Sequence, residues 1–410
     1  MDRDACERMD RDCPLGDVRE RFSLPEGVLY FDGNSLGALP RTTAADIDRA
    51  VREEWGRGLV ESWLDADWFF LARKAGDAIA PLIGASEGEV VVADSTSVNL
   101  FKLAAALLRR SEGRRAVVTE RGNFPTDVYI LEGLADLFGG RFDLVLAAPE
   151  AIAGSIDEGT ALVLLTHVNF RTGAMHDMER ITGHCRERGV PVIWDLSHSA
   201  GAVPLALNRW GVEHAVGCTY KFLNGGPGAP AYIYMAASAI AAHEPVMTGW
   251  FSHADQFGFE DRYRPTGGIE KCLVGTPPIL SLRGVMHGVA TFDGVDMDDV
   301  VGKSRRLSEL FIRLADDRLV PYGFSLASPR EPGARGSQVS FRHEHAYAVS
   351  KALRAAGVVA DFRSPDILRF GIAPLYVRHV DVWDAVDALA QIMAGESWRA
   401  HGTDAPDPVT

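Results

Sequence analysis

Short, unbroken apolar runs alternate with longer helix-period segments between about residue 70 and residue 236. The apolar runs cover residues 90–93, 116–119, 144–147, 162–166, 192–194 and 231–234, and the helical segments between them include 98–109, 126–138 and 177–188. A strand with one wet face alternates polar and apolar residues, so unalternated runs separated by helices indicate strands buried on both faces. The sequence therefore predicts an α/β fold whose large domain has a mostly parallel sheet covered by helices on both faces.

The pattern changes after Pro277 and Pro278. A helical stretch over about 279–316, with possible breaks at Gly294 and Gly302, precedes a strand at 338–341, a helix at 346–356, strands at 358–362 and 367–372, and a last helix at 380–394. This order predicts a smaller C-terminal α+β domain at 279–396. We expect an N-terminal segment, 1–45, that packs on the domains, a large ligand-binding domain at 46–278, and a disordered tail at 397–410.

Charge, cysteine usage and hydropathy exclude several classes of protein. The net charge of −14 argues against nucleic-acid binding, which needs clustered Lys and Arg. The five cysteines are scattered and show no C-x-x-C spacing, so the sequence predicts neither a disulfide framework nor a metal site and fits a reducing compartment. Because the N-terminus is charged and no apolar segment could span a bilayer, we expect a cytoplasmic protein that does not bind membranes.

The central candidate site is an aspartate and a lysine on neighbouring strand ends. Asp195 follows the apolar run VPVIW, and Lys221 comes 26 residues later, beside Tyr220 and before a glycine-rich turn. Pyridoxal 5'-phosphate needs a lysine for its aldehyde and a carboxylate that keeps its pyridine nitrogen protonated. Alone, Asp195 reads better as a strand-end cap and Lys221 as a solvated lysine. Together, in this order and in a βα frame, they favour the cofactor.

Two further segments could complete such a site. Thr96 and Ser97 begin a helix after an apolar strand, where free amides and the helix dipole favour a phosphate, although an ordinary Ser/Thr helix cap is equally compatible. Phe124 precedes another helix and could stack on a flat cofactor or simply belong to the core. Asp127 could cap that helix or hydrogen-bond the phenolic oxygen of the cofactor.

Several longer segments resemble kynureninase, a family of the fold-type-I, aminotransferase-like pyridoxal-phosphate enzymes. They are YFDGNSLGALP (30–40), FPTD (124–127), LTHVNFRTG (165–173), WDLSHSAGAVPL (194–205), TYKFLNGGPGAP (219–230) and GTPPILSL (275–282). The resemblance extends from about residue 30 to residue 394. The GNSLG, FPTD and HVNFRTG segments are more specific than the Asp195 and Lys221 pair, which the wider group shares.

The resemblance implies a role for each matching residue. Lys221 would bind the cofactor covalently, Asp195 would pair with the pyridine nitrogen, Phe124 would stack on the ring, and His198 would lie beside it. Thr96, Ser97 and Tyr220 would hold the phosphate, with Asp127 and Thr166 as further polar contacts. Arg369 would bind the substrate α-carboxylate, since a planar fork suits that group. Asn34 and Ser35 could lie near the substrate or form only a structural turn, and Trp63 could line the aryl pocket.

The resemblance also implies a reaction and an assembly. The reaction is hydrolysis of L-kynurenine to anthranilate and L-alanine, with 3-hydroxykynurenine as the alternative substrate and Tyr220 as a general acid or base. Thr276 is shorter than the amide found in some relatives, which favours unsubstituted kynurenine. Trp250 and Thr276 look like residues that reach the cofactor of a second subunit, so a homodimer with shared active sites is expected.

Three alternatives remain at this stage. A transaminase or a cysteine desulfurase could share the Asp195 and Lys221 frame, and a desulfurase would need a reactive cysteine, for which Cys272 is the nearest candidate. A cofactor-binding regulator could keep the fold without turnover, but the presence of both Lys221 and Arg369 counts against it. A purely structural domain would leave the Asp195 and Lys221 frame unexplained.

Overall fold

The computed structural model describes residues 1–402, whose strands form one large sheet, one smaller sheet and two short pairs. The strands are β1 (Phe22–Ser23), β2 (Leu29–Tyr30), β3 (Leu39–Pro40), β4 (Val90–Val92), β5 (Ala116–Glu120), β6 (Asp143–Ala147), β7 (Thr160–Thr166), β8 (Val192–Asp195), β9 (His214–Gly217), β10 (Tyr232–Met235), β11 (Ser325–Leu326), β12 (Gln338–Arg342), β13 (Val358–Val359), β14 (Asp361–Arg363) and β15 (Ile367–Gly371). The α-helices are α1 (Arg3–Arg11), α2 (Thr43–Arg49), α3 (Ser62–Asp65), α4 (Leu71–Ile79), α5 (Thr96–Arg109), α6 (Pro125–Leu137), α7 (Met178–Glu187), α8 (Ala237–Ala242), α9 (Ile279–Ala290), α10 (Met297–Arg318), α11 (Ala346–Ala355) and α12 (His379–Ala394).

The large sheet has seven strands in the order β4-β10-β9-β8-β7-β5-β6. Only β10 runs antiparallel to its neighbours, β4 and β9. All seven residues of β7 are buried, and since successive side chains point to opposite faces, both faces of the sheet are covered there. The predicted fold class is confirmed. Strand β9 was not among the apolar runs, because this four-residue strand begins with a histidine and ends with a glycine.

The smaller sheet is antiparallel, with the order β11-β12-β15-β14, and α10 packs on β12 and on α12. The predicted helix break at Gly294 is confirmed, since α9 ends before it and the Asp296 side chain caps α10. The predicted break at Gly302 is wrong, because α10 continues through that glycine, which costs a helix only about 1 kcal/mol relative to alanine.

Helix α9 lies against the large part of the chain, although the predicted small domain begins with it. It packs on α2 and α4, and Gly284 and Gly288 bring it close to the loop after Lys221. A Cβ at Gly288 would lie 2.3 Å from the carbonyl oxygen of Leu223, so only glycine allows this approach. The domain boundaries at 45, 278 and 396 stay predictions.

The N-terminal segment contacts both the C-terminal part and the segment that carries Lys221. Helix α1 packs on α12, and β2 pairs in parallel with β13 of the C-terminal part. After β2, the Phe31 amide donates to the Val359 carbonyl, and the Gly37 amide donates to the Tyr220 carbonyl at 2.8 Å. The loop at 31–37 therefore bridges the C-terminal part and the segment that carries Lys221.

The expectation of disorder from residue 397 onward is wrong for 397–402. Ser397–His401 forms a 3-10 helix, and the buried Trp398 ring stacks on His345 with the centroids 4.4 Å apart. Residues 403–410 of that predicted tail lie outside the described residues. Among the helices of residues 1–402, none has the length and apolar character needed to cross a membrane.

Two helical glycines give a test of the packing of α4 on the sheet. A Cβ at Gly76 would lie 2.1 Å from the backbone oxygen of Val90, so Gly76→Ala should destabilise the fold by about 1–3 kcal/mol through overpacking. Gly133 in α6 has no atom within 4 Å of such a Cβ, so Gly133→Ala should stabilise by about 0.5–1 kcal/mol. Thermal midpoints of the two variants check this. A Gly76→Ala protein as stable as Gly133→Ala would contradict the packing.

Candidate active site

The carboxyl ends of the central strands place the candidate residues around one cavity. Thr166 at the end of β7 pairs with Asp195 at the end of β8, and Asp195 pairs with Val216 of β9. Because parallel strands end at the same edge, ligands bind there in such sheets. A cavity of about 270 Å³ at this edge is lined by nine of the predicted residues, namely Thr96, Ser97, Phe124, Asp127, Thr166, Asp195, His198, Tyr220 and Lys221.

Asp195 is a buried carboxyl group at the end of a central strand. Its Oδ1 accepts a hydrogen bond of 2.8 Å from the Ser197 amide. Burial raises the pKa of Asp195, whereas the Ser197 hydrogen bonds and the positive charge of Lys221 lower it. A cationic partner in the cavity would favour the ionised carboxylate further.

Lys221 and His198 are hydrogen-bonded inside the cavity. The Lys221 Nζ lies 3.1 Å from the His198 Nε2. Burial and the charge of Lys221 lower the pKa of His198 well below its ordinary value, so the imidazole is neutral. Its Nε2 therefore accepts from Lys221, and Nδ1 carries the ring hydrogen. That Nδ1 is buried and has no protein partner.

Phe124 stands at the start of α6, with Pro125 as the first helical residue. Its ring is partly exposed, meets Phe170 edge-on at 5.2 Å between centroids, and has its centroid 5.9 Å from the Lys221 Nζ. The Tyr220 ring centroid lies 5.7 Å from the same nitrogen. Lys221 is thus placed between two aromatic rings, one of which leaves surface open to a flat ligand.

Asp127, Thr166 and Asn123 form a buried polar group beneath Phe124. The Thr166 hydroxyl lies 2.9 Å from Asp127 Oδ2 and 2.5 Å from Asn123 Oδ1. A hydroxyl has one hydrogen, so a protonated Asp127 completes both bonds. Burial and the nearby Asp195 raise the pKa of Asp127 well above its ordinary value, in agreement with that arrangement. The second oxygen, Oδ1, is buried without a partner.

The start of α5 forms a cradle for an anion on the same cavity. Ser95 caps the helix by accepting a hydrogen bond from the Val98 amide, and the helix begins at Thr96. The first amides of a helix have no partner within it, and the helix dipole favours negative charge at this end. Thr96 and Ser97 add hydroxyl groups that also line the cavity.

These groups together fit pyridoxal 5'-phosphate. The unpartnered Asp127 Oδ1 and His198 Nδ1 are buried polar atoms that a ligand in the cavity could satisfy. Lys221 provides the amine, Asp195 the carboxylate, Phe124 the aromatic face, and the start of α5 the anion cradle.

Arg369 lies on β15, near this cavity but outside its lining. Its side chain is only 1% exposed, and its Nη1 donates to the Phe170 carbonyl at 2.6 Å. The Asn34 Nδ2 donates to Gln338 Oε1 at 3.3 Å, and the Gln338 amide donates to the same Phe170 carbonyl. Arg369 and Gln338, the partner of Asn34, thus both donate to the carbonyl of Phe170, whose ring contacts Phe124.

Three predicted residues lie away from the cavity within this chain. Trp250 and Thr276 are exposed on the surface. Trp63 packs edge-on against Trp68, with centroids 5.8 Å apart, and does not line the cavity. An arrangement in which Trp250 and Thr276 serve a site therefore requires a second molecule.

The sequence analysis missed Asn123, Phe170 and Asp361. Asn123 immediately precedes the FPTD segment and Phe170 lies inside HVNFRTG, so both segments carried a signal. Asp361 had no such signal, because its importance arises from strand pairing opposite Arg369.

The fold and the site define a pyridoxal 5'-phosphate enzyme of fold type I. Solved structures that share the fold include a cysteine desulfurase from Thermococcus onnurineus NA1, with a TM-score of 0.79, 19% identity, and coverage of 92% of this chain and 98% of that one. The cysteine desulfurase CsdA from Escherichia coli gives a TM-score of 0.78 at 16% identity, covering 93% and 98%. At these identities the likeness concerns the fold alone.

Sequence comparison gives the particular family. The chain is 47% identical to the kynureninase of Burkholderia pseudomallei (strain K96243) over 397 residues, which is 96% of this chain and 95% of that protein. It is also 47% identical to the kynureninase of Pseudomonas fluorescens over 401 residues, 97% and 96% of the two chains. Residues 300–389 match the kynureninase C-terminal domain. The chain belongs to the kynureninase family, and its cofactor is pyridoxal 5'-phosphate.

The structure gives no support to the desulfurase alternative at Cys272. The thiol is buried, and burial raises the pKa of Cys272 to about 12, so the thiol stays protonated at neutral pH. The reactive form of cysteine is the thiolate. The carbonyl of Cys272 accepts a hydrogen bond from the buried Lys102, which fixes the residue in the interior.

Removal of Lys221 tests the cofactor attachment. Lys221→Ala should lose the visible absorption of the bound cofactor, and borohydride reduction of the natural protein should leave the cofactor on the peptide that contains Lys221. The exposed Lys74, paired with Asp67, is the control, and Lys74→Ala should keep the absorption. A Lys221→Ala protein with an unchanged spectrum would show that another residue holds the cofactor.

Proposed function

We propose that this chain hydrolyses L-kynurenine to anthranilate and L-alanine, a step of tryptophan catabolism, with its cofactor bound to Lys221. The observation that carries the proposal is the single cavity that holds Asp195, His198 and Lys221 together, with Arg369 beside it, in a chain of this family. The short side chain of Thr276 favours unsubstituted kynurenine over 3-hydroxykynurenine. A cytoplasmic location stays a prediction from the cysteine pattern.

The protonated pyridine ring of the bound cofactor supplies a sink for the electrons released when substrate bonds break. Asp195 keeps the proton on the ring nitrogen, because a buried carboxylate strongly favours a cationic partner. Phe124 would pack on the ring, and Asp127, whose own proton is used in its hydrogen bond with Thr166, would be a further polar contact of the cofactor. Thr96, Ser97 and Tyr220 bind the phosphate at the start of α5.

Lys221 and Tyr220 transfer the protons in the proposed reaction. The neutral His198 accepts a hydrogen bond from the Lys221 Nζ and so directs that amine, which takes the α-proton of the substrate. The nearby Cys218 and burial raise the pKa of Tyr220, so its hydroxyl is protonated at neutral pH and can donate a proton in the later steps. Arg369 binds the α-carboxylate, and Asn34 lies beside it.

We further propose that the active unit is a two-fold homodimer, the commonest closed assembly. The aromatic surface, defined as Phe70, Trp250, Phe257 and Phe259, leaves large apolar rings in solvent, with Trp250 46%, Phe257 66% and Phe259 81% exposed. Exposed apolar patches of this kind mark protein interfaces. Burying the aromatic surface against a second copy would let Trp250 and Thr276 reach the cofactor of that copy.

Replacing Asp195 tests the proposed reaction. The natural protein should form fluorescent anthranilate from L-kynurenine, with a higher kcat/KM than for 3-hydroxykynurenine. Asp195→Asn should lower turnover by roughly a hundredfold or more, as losses of electrostatic catalytic groups do. The matched control is Asp143→Asn, since Asp143 forms only an exposed pair with Arg115. Absence of anthranilate from the natural protein, or near-normal turnover of a folded Asp195→Asn protein, would refute the proposal.

Charge on the aromatic surface tests the assembly. Phe257→Asp should shift the protein towards monomer in sedimentation, because an interface core does not tolerate an unpaired charge. Cofactor content and activity should fall in parallel with the dimer fraction. Tyr322→Asp, an exposed aromatic position in the C-terminal part, should leave all three unchanged. A fully active Phe257→Asp monomer would disprove the shared site.

A further inference from the structure

Arg369 is held by two polar groups that no step above uses, the buried Asp361 and the half-buried Ser35. Asp361 lies opposite Arg369 in the antiparallel pairing of β14 and β15, and its carboxyl is completely buried. The Arg369 Nη2 donates to Asp361 Oδ2 and, at 2.8 Å, to the Ser35 hydroxyl. The Ser35 hydroxyl in turn donates to Asp361 Oδ2 at 2.9 Å. The three side chains form a triangle that fixes one end of the guanidinium.

The other donors of Arg369 are not all satisfied. A guanidinium has five N–H donors. Both hydrogens of Nη2 are used in the triangle, and Nη1 gives one hydrogen to the Phe170 carbonyl. The Nε is buried and has no partner among residues 1–402. Since an unpaired buried donor of a charged group is costly, these remaining donors point to an acceptor supplied by a ligand.

The charge of the cluster also favours an anion. Arg363 Nη2 lies 2.7 Å from the same Asp361 Oδ2, so two guanidinium groups share one carboxylate. Asp32 interacts electrostatically with Asp361, Arg369 and Arg363, and burial and Asp361 raise the pKa of Asp32. Because Asp361 is shared between two guanidinium groups, it does not fully neutralise Arg369.

This cluster is adjacent to the cofactor site. The charges of Arg369 and Arg363 contribute to lowering the pKa of His198. The loop that carries Ser35 also donates from Gly37 to the Tyr220 carbonyl, one residue before Lys221. A carboxylate at the free donors of Arg369 would thus lie within reach of groups that face Lys221.

We propose that Asp361 and Ser35 are positioning residues for Arg369, which they hold in the orientation that recognises the substrate carboxylate. Arg363 neutralises Asp361 and leaves the charge of Arg369 available to the ligand. The inference rests on the proposed function only in taking Arg369 as the carboxylate-binding residue. A side chain held in place before binding loses less entropy when the ligand binds, so Asp361 and Ser35 contribute to affinity without touching the ligand.

Two small amines separate this role from general damage. L-alanine carries an amino group and a carboxylate, whereas ethylamine is the same molecule without the carboxylate. Dissociation constants of both for the cofactor-loaded protein are measured from the change in visible absorption. Asp361→Asn should weaken the binding of L-alanine by roughly tenfold, the effect of one charge-assisted hydrogen bond. The binding of ethylamine and the spectrum of the cofactor should stay unchanged. In turnover of L-kynurenine the loss should fall on KM rather than on kcat.

The control is Asp366→Asn, which removes a surface partner of Arg342 next to β15 and should change neither amine. Ser35→Ala should show the same selectivity with a smaller loss, and it decides the matter if Asp361→Asn does not fold. Unchanged L-alanine binding in a folded Asp361→Asn protein, or equal weakening of both amines, would overturn the inference. Arg369→Ala with unchanged preference for L-alanine over ethylamine would overturn it as well. Normal amine selectivity without anthranilate formation would refute the proposed function but not the positioning of Arg369 by Asp361 and Ser35.

Discussion

A carboxylate buried at the end of a central strand is costly, and the chemistry of this site follows from that cost. Asp195 has the Ser197 amide as its donor, and burial raises its pKa. Asp127 lies near enough for its own pKa to be raised by Asp195, and two buried acids at that separation cannot both ionise cheaply. The two acids have different surroundings, so that only one of them ionises. Asp127 stays protonated within the Thr166 and Asn123 group, and Asp195 is the acid that a cationic ligand in the cavity would favour in its ionised form.

The neutral His198 fits the same balance. A protonated imidazole beside Lys221 and near Arg369 would repel both, and burial opposes its charge further. Its Nε2 is therefore an acceptor for Lys221. The loop at 31–37 packs against the segment that carries Lys221. A Cβ at Gly37 would lie 2.4 Å from the Lys221 carbonyl, and one at Gly371 would lie 2.1 Å from Asn34 Oδ1, so glycine is required at both close approaches.

The sequence was sufficient for the parts of the molecule that depend on local patterns. Unalternated apolar runs predicted the parallel sheet, and strand-end residues such as Asp195 and Thr166 met at one edge because parallel strands must end together. The sequence did not predict the long-range pairings. Asp361 faces Arg369 only through the register of β14 and β15, and Trp398 is ordered by a ring that lies far from it along the chain. Strand β9 did not stand out as an apolar run, because its four residues begin with a histidine and end with a glycine. The roles of the individual site residues stay predictions.

The separation between the residues on the large sheet and the residues around Arg369 explains how one fold can serve different reactions. The groups that fit the cofactor, Asp195, Lys221 and the start of α5, are attached to the large sheet, whose geometry this chain shares with cysteine desulfurases at under 20% identity. The groups around Arg369 come from elsewhere, namely the loop at 31–37 and strands β14 and β15. In the proposed function the second set holds the substrate, so it can differ between enzymes without disturbing the buried carboxylate on which the first set depends. A fold therefore carries the cofactor chemistry, and the reaction is chosen by elements packed against its edge.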